Sequence, residues 1–372
     1  MRLSRILLAV GCLGVVGCIG LSTVALLVIA GNVPNKRLNP IEGVALQVQM
    51  WSKDAAFKAT LASDATPVRF TVAAGDTANG IAARLASQGL IADADAFRTY
   101  VRYYGLDANL QAGVYLLYKT QTLPQIARAL TNAGANSVRL LVREGWRIEE
   151  IVAAINQTPN MPFSGTDFLA LVRGANVPAD FLTSVGAPPG ASLEGFLFPA
   201  TYELPLDAKA GTLLDMMLKS FNSAVDAQAR ADLAKIGLTV YQAVTLASIV
   251  EREAVVADER PLIAGVYLNR LRKPMTLDAD PTIQYALGNT RQPATWWPNL
   301  TQADYRSVVS PYNTYLNQGL PPSPIASPRR DSILAVIYER QSPYFYFRAS
   351  CNGDGRHNFA ETFDQQLANG CP

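Results

Sequence analysis

The sequence predicts an α+β protein carried on an N-terminal membrane span, and three observations point there. Residues 6–30 form a run of 25 without a single charge. A strand–glycine–helix pattern occurs at 69–85 and recurs at 139–155. Beyond a Pro- and Gly-punctuated stretch the apolar periodicity becomes helical, then yields to a loop-rich C-terminal region. Two domains suit a chain of 372 residues. At 49% hydrophobic and 17% charged, the chain can bury a sizeable core and is not of the disordered class. Its 32 Lys and Arg against 30 Asp and Glu leave +2, without the basic excess of a nucleic-acid binder.

The run at 6–30 exceeds the roughly 20 apolar residues a helix needs to span a bilayer. Arg2 and Arg5 precede it and Lys36 and Arg37 follow, so flanking charge is mixed. A short N-terminus ahead of a large body favours an inside N-terminus and an extracytoplasmic body. Two other readings stay open. A cleaved signal peptide has an apolar region of about 7–15 residues, shorter than this run. Val15-Val16-Gly17-Cys18 resembles a lipid-attachment box, but the apolar run continues well past Cys18. The expectation is a short tail at 1–5, a transmembrane helix at 6–30 and a stalk at 31–66. Cys12 and Cys18 lie inside the run, leaving Cys351 and Cys371, which an oxidising compartment would allow to pair. Spacing alone does not decide that pairing.

In the body, Arg69-Phe-Thr-Val-Ala-Ala-Gly75 with Ile81 is echoed by Arg139-Leu-Leu-Val-Arg-Glu-Gly145 with Ile151. Five of 17 aligned positions are identical. Each copy reads as a strand, a glycine turn and an amphipathic helix, with Ile81 and Leu85, or Ile151 and Ile155, as i, i+4 apolar pairs. A helix at 94–104, a strand at 113–118 and a helix at 123–130 complete the region. Such units resemble the LysM type of glycan-binding fold; chance recurrence within an α+β domain is the plainer alternative. Residues 67–158 are read as this LysM-like subdomain, and 159–372 as a mixed α/β domain entered through the Pro/Gly-rich stretch. Helices are expected at 211–233, 239–253 and 260–271.

Only one histidine is present, His357. That removes a zinc site built on two or three His and any H-E-x-x-H helix, and leaves chemistry run by carboxylates, amides and hydroxyls. The segment 243–250 is apolar except for Thr245 and Ser248, the mark of a buried helix, and Glu251 follows in register. A carboxyl at the mouth of such a helix is partly desolvated, which favours the protonated form a general acid needs. The plainer reading makes Glu251, Arg252 and Glu253 ordinary charges at a solvent-exposed helix end.

The string Ala247-Ser-Ile-Val-Glu-Arg-Glu253 resembles the central motif of the endolytic murein (peptidoglycan) lytic transglycosylases, the MltG-type, YceG-like family. Further motifs follow in family order: Ser192-Leu-Glu-Gly-Phe-Leu-Phe-Pro199 with Thr201-Tyr202, Val266-Tyr-Leu-Asn-Arg-Leu271, and Asp280-Pro-Thr282 with Tyr285. Ser310-Pro-Tyr-Asn-Thr-Tyr315, Gly319-Leu-Pro-Pro-Ser-Pro-Ile325 and His357-Asn-Phe359 close the series. The chain departs from the family pattern at Ala200 (usually Asp), Ala254 (often Thr) and Arg329 (usually Gly). It departs again at Phe363-Asp-Gln-Gln366, where Glu-His is common.

The resemblance implies a membrane-anchored lyase that cuts peptidoglycan strands within their length, with Glu251 as the one catalytic residue. Glu251 would protonate the leaving glycosidic oxygen, then take the proton of the muramic C6 hydroxyl as that oxygen closes a 1,6-anhydro ring on C1. No cofactor or metal is implied. The partners are glycan strands and the membrane, with cell-wall synthases expected from the resemblance alone. Candidate substrate contacts are Glu194, Tyr202, Ser248, Asn269, Asp280, Gln284, Tyr312, Asn313, Tyr315 and His357. Their amides match sugar hydroxyls and acetamido groups, and their rings offer flat apolar faces. Core packing is the alternative for the tyrosines, and a helix cap for Asp280. Trp296-Trp297 reads as a packing pair or a glycan platform. Two other functions remain: a hydrolase pairing Glu251 with Glu194 or Asp280, and a glycan-binding scaffold without catalysis.

Overall fold

The computed structural model describes residues 33–135, 137–292 and 294–371; the expected tail and membrane span at 1–30 lie outside them. The chain forms two compact units, one running to Ser137 and taking in Pro205–Asp207, the other made of Val138–Leu204 and the chain from Ala208 onward.

The first unit opens with α1 (Pro40–Ser52) and α2 (Asp54–Lys58), followed by β1 (Pro67–Val72), α3 (Ala78–Ser87), α4 (Ala94–Tyr104), β2 (Gly113–Tyr118) and α5 (Leu123–Ala129). Asn39 starts α1 by accepting the Glu42 N–H, with Pro40 in the first turn where its missing donor costs nothing. Asp93 caps α4, and Gly105 ends it in the left-handed region. β1 and β2 pair antiparallel from Pro67↔Tyr118 to Val72↔Gly113. Phe70, Ile81, Leu85, Phe97, Tyr115, Leu117 and Ile126 fill the core beneath them. The stretch read as a stalk is thus mostly helical. It packs on α4 through buried Phe57, 5.6 Å from the Tyr100 ring, and through the Lys53–Asp93 ion pair at 2.9 Å. The other face of α1 leaves Ile41, Val48 and Trp51 exposed.

The second unit contains β3 (Ser137–Leu141), α6 (Ile148–Gln157), α7 (Gly165–Val172), α8 (Ala179–Val185), β4 (Thr201–Pro205), α9 (Ala210–Ala224), α10 (Ala227–Lys235) and α11 (Val240–Glu253). Then come α12 (Arg260–Arg272), α13 (Asp280–Leu287), α14 (Asp304–Ser307), α15 (Arg330–Ile337), β5 (Tyr346–Ala349), β6 (His357–Ala360) and α16 (Phe363–Ala368). β3 pairs with β4, and β5 with β6 antiparallel. The division between units falls at Ser137, not near 158. Leu140, Val142, Ile148, Ile151 and Ile155 of the second strand–glycine–helix copy are buried with Phe168 and Phe196, so that copy belongs to the second core. A bond between Cys351 and Cys371 ties the C-terminal tail to the β5–β6 hairpin. Among the described residues no single helix is long and apolar enough to cross a membrane. Only α10 and α11 together pass on length and composition, bent by 92°, and α11 is the buried helix of this core.

Candidate active site

Helix α11 organises the site. Thr239 and Gln242 form a capping box at its start, each side chain accepting the other's backbone N–H. Every residue from Ala243 to Val250 is buried. At the far end Glu251 and Glu253 stand two positions apart, which on an α-helix turns them through about 200°. The two carboxylates therefore leave opposite sides of the helix.

Glu251 turns to α15. Its carboxylate is only 3% exposed and meets the Arg329 guanidinium, with Nη2 at 2.8 Å and Nε at 2.9 and 3.0 Å. It also accepts the Arg329 backbone N–H at 3.1 Å and the Ser332 hydroxyl at 2.7 Å. Arg329 is the N-cap of α15 and offers no capping side chain of its own, so Glu251 supplies the negative charge that end requires. Glu251, expected to face substrate, does not line the cleft described next. The group is enclosed and bonded to three donor groups.

Glu253 turns to a cleft of about 1010 Å³ lined also by Arg270, Asp278, Asp280, Tyr305, Tyr315 and His357. The Tyr267 hydroxyl donates to it at 3.1 Å. Burial, and next the negative charge of Asp280, push its pKa up to about 7, against the lowering effect of the Tyr267 bond and Arg252. Asp280 is the first residue of α13 rather than its cap, which is Ala279. Its carboxylate accepts the hydroxyls of Tyr315 at 2.6 Å and Tyr305 at 3.2 Å. Burial and then the Asp280 bond raise the Tyr315 pKa, keeping that hydroxyl a donor. Asp278, at φ +52, holds a left-handed backbone that few non-glycine residues adopt, and its carboxylate pairs with Arg270 at 2.7 Å. His357 lines the same cleft, with Nδ1 2.8 Å from Glu259 and its ring edge-on to Phe347.

Of the residues singled out from sequence, Asp280, Tyr315 and His357 come together at this cleft; the others do not line it. Asn313 is fully buried, donating to the carbonyls of Tyr305 and Val308 and accepting the Tyr315 N–H; it places the two tyrosines rather than touching the cleft. Asn269 donates to the carbonyls of Ser342 and Tyr344, and Gln284 to that of Pro298. Ser248 accepts the Ile325 N–H at 3.0 Å from inside the core. Tyr202 is a core residue whose hydroxyl reaches Phe198 O, and Tyr312 shares a hydrogen bond with Ser323 while packing on Tyr285. The tryptophan pair is a packing pair, stacked under cations: Arg147 lies 4.9 Å from Trp296 and Arg252 3.9 Å from Trp297.

Glu194 is a buried anchor. It accepts the first N–H of α6, from Ile148, at 3.2 and 3.3 Å and the Tyr285 hydroxyl at 3.2 Å. Burial first, then the charge of Glu149, push its pKa up to about 8, opposed by Arg147, Arg173 and that N–H. The following Gly195 (φ +84) is obligatory, because a Cβ there would sit 2.4 Å from Pro324. Among the described residues no group of three His, Cys, Asp or Glu side chains converges as a metal site would need.

The family profile described as YceG-like matches residues 70–370 of this chain. The chain belongs to the YceG-like family. It is 32% identical over 304 residues to a Bacillus subtilis protein named endolytic murein transglycosylase, covering 78% of this chain and 80% of that one. A Streptococcus pneumoniae protein of the same name is 30% identical over 320 residues, and there the match spans 56% of the relative's length. A crystal structure of a yceG-like protein from Listeria monocytogenes superposes with a TM-score of 0.54 at 29% identity, covering 82% of this chain and 99% of that one.

The cleft residues missed from sequence are Glu253, Asp278, Tyr305 and Arg270. A helical wheel would have separated Glu251 from Glu253. It would not have said which side faced open space, because both sides of α11 are packed along most of its length.

Proposed function

We propose that this YceG-like chain is an endolytic murein transglycosylase in which Glu253 is the general acid and then the base. The observation that carries the reading is the Glu253 carboxyl in the cleft with its pKa near 7, where a group can both hold and accept a proton at neutral pH. Glu253 gives its proton to the glycosidic oxygen between N-acetylmuramic acid and N-acetylglucosamine as the C1–O bond breaks. The muramic C6 oxygen then bonds to C1, and its proton returns to Glu253. Water is not consumed, and the product ends in 1,6-anhydro-muramic acid. Tyr315 and Tyr305 hold the Asp280 carboxylate in the cleft. Asp280 is one of the two influences that raise the Glu253 pKa and so favour its protonated form before the bond is cut.

Asp280 in the same cleft also favours a second reading, a two-carboxyl hydrolase with Asp280 as base or nucleophile. Mass spectrometry of digested peptidoglycan separates the two. Anhydro-muramic ends support the lyase and reducing ends the hydrolase. Glu253→Gln should abolish either product, and parental cleavage by that variant would falsify the assignment.

Membrane anchoring through 6–30, with the body extracytoplasmic, is part of the same reading. It is supported by the length of that uncharged run and by the exposed apolar face of α1, which starts ten residues after the run ends and presents Ile41, Val48 and Trp51. The first unit is proposed to retain glycan. A pocket of about 450 Å³ between α1, α3 and α4, lined by Gln49, Thr77, Asn79, Asp95 and Thr99, has the mixed donors and acceptors that a sugar requires. Deleting residues 67–135, which lie within the first unit, should weaken retention on peptidoglycan, and unchanged retention would sink this part.

A further inference from the structure

The outer wall of the cleft has a chemistry that a polysaccharide does not call for. On α16, Phe363 and Leu367 stand one turn apart, line the cleft, and remain 56% and 57% exposed. Beside them on β5 is Arg348, whose guanidinium makes, among the described residues, one long hydrogen bond of 3.4 Å to the Gln366 carbonyl, leaving most of its five donors free. Arg306 of α14 lines the same cleft, is exposed, and makes no ion pair among the described residues. Sugar hydroxyls and acetamido groups are neutral, and a strand stripped of peptide keeps only the lactyl carboxylate on the ring itself. Two guanidinium groups without an ion pair among the described residues and two bare apolar side chains at the outer wall therefore ask for more than the sugar.

The wall is also fastened in place. Gln366 donates to the Phe347 carbonyl at 2.9 Å, Tyr346 packs 5.9 Å from Phe363, and the Cys351–Cys371 bond closes the tail beyond α16 onto the hairpin. A surface held this firmly yet left uncovered is built to receive something.

Resting on the reading of the cleft as a glycan-cleaving site, we infer that this wall is a subsite for the acidic stem peptide borne by the muramic acid. The stem is attached through the lactyl group on C3 of the muramic ring whose C1–O bond is cut, so it leaves the cleft alongside the sugar. Its alanine methyls match Phe363 and Leu367. Its free carboxylates match Arg348 and Arg306, since a guanidinium pairs with a carboxylate through two parallel hydrogen bonds.

The test compares kcat/KM on stem-bearing glycan strands with kcat/KM on the same strands stripped of stems by an amidase. The parent enzyme should favour stem-bearing strands, and rising salt should shrink that preference. In Arg306→Gln/Arg348→Gln the ratio of the two constants should fall about tenfold, and Phe363→Ser should lower it by several fold. Arg306→Gln alone, at an exposed position without a partner, should lower the ratio without changing the melting temperature, so a misfolded double variant cannot hide the answer. A parental ratio of one, or a ratio that the variants leave unmoved, overturns the inference. Glu253→Gln should remove cleavage of both substrates alike, so a failure of the catalytic assignment is read separately.

Discussion

The two strand–glycine–helix copies begin as the same local structure and end in different surroundings. In the first, β1 runs through Gly75 (φ +86) into α3; in the second, β3 runs through Gly145 (φ +72) into α6. Both glycines take the left-handed turn, and both helices bury their i, i+4 pair completely. The environments then diverge. Nothing lies within 4 Å of a side chain built on Gly75, whereas one on Gly145 would meet the Arg252 guanidinium at 3.2 Å and Glu251 at 3.8 Å. The Gly145 N–H also donates to Ser327 just ahead of α15, and α6 begins on the carboxylate of Glu194. One copy completes a small independent core. The other is a brace for the end of α11. A shared local pattern thus specifies a shape, and the packing around it specifies a role.

The largest effect that would sharpen this contrast is on chemistry. Glu253→Gln should lower cleavage by about 10²–10⁴-fold, the usual contribution of a positioned acid–base group, with glycan retention unchanged. Cleavage should also lose its acid form as pH rises through about 7, and a pH–rate profile lacking that limb would argue against Glu253.

Breaking the brace itself comes next. Glu251→Ala strands the α15 end and the partly exposed Arg329, and should cost about 2–4 kcal/mol in denaturant unfolding, towards the low end for a buried pair because Arg329 remains hydrated. If stability did not change, Glu251 would not be the tie between α11 and α15.

The glycines give the cleanest comparison. Gly75→Ala should cost about 1 kcal/mol from backbone strain alone and leave cleavage intact. Gly145→Ala adds the contact with Arg252, so it should cost about 1–2 kcal/mol and lower kcat as well. Equal effects on activity would erase the distinction between the copies.

Titration separates the units further. Glu194 and Glu253 have folded-state pKa values of about 8 and about 7, above the ordinary 4.5. A carboxyl raised on folding stabilises fully below its unfolded value and less as pH climbs through the folded one. The second unit should therefore weaken between about pH 4.5 and 8, and Glu194→Gln should flatten the upper part of that fall. Unfolding curves at pH 5 and 9 check the sign. The smallest change expected is Arg329→Gly, which removes the guanidinium and should cost about 1 kcal/mol or less, because the backbone N–H and Ser332 still hold Glu251.

Much of this fold was legible in short-range signals. The i, i+4 pairs of both copies, the helix at 94–104, the strand at 113–118 and the buried run before Glu251 all stand where periodicity put them. The candidate site was legible as a neighbourhood more than as residues. Asp280, Tyr315 and His357 line the cleft, while Asn313, Asn269 and Gln284 hold its loops by bonding backbone carbonyls. An amide that binds a sugar and an amide that satisfies a buried carbonyl are the same side chain in sequence.

By itself the sequence determined where helices and strands form, which faces they bury and which family the chain falls in. Those properties depend on caps, turns and apolar spacing within a few residues. Only the tertiary structure decided that the second copy joins the larger core and that Glu253, not Glu251, opens on the cleft. The two carboxylates differ by half a turn of one helix. Which half-turn meets a positive helix end, and which meets open space beside Asp280, is set by segments 25 to 80 residues further along the chain.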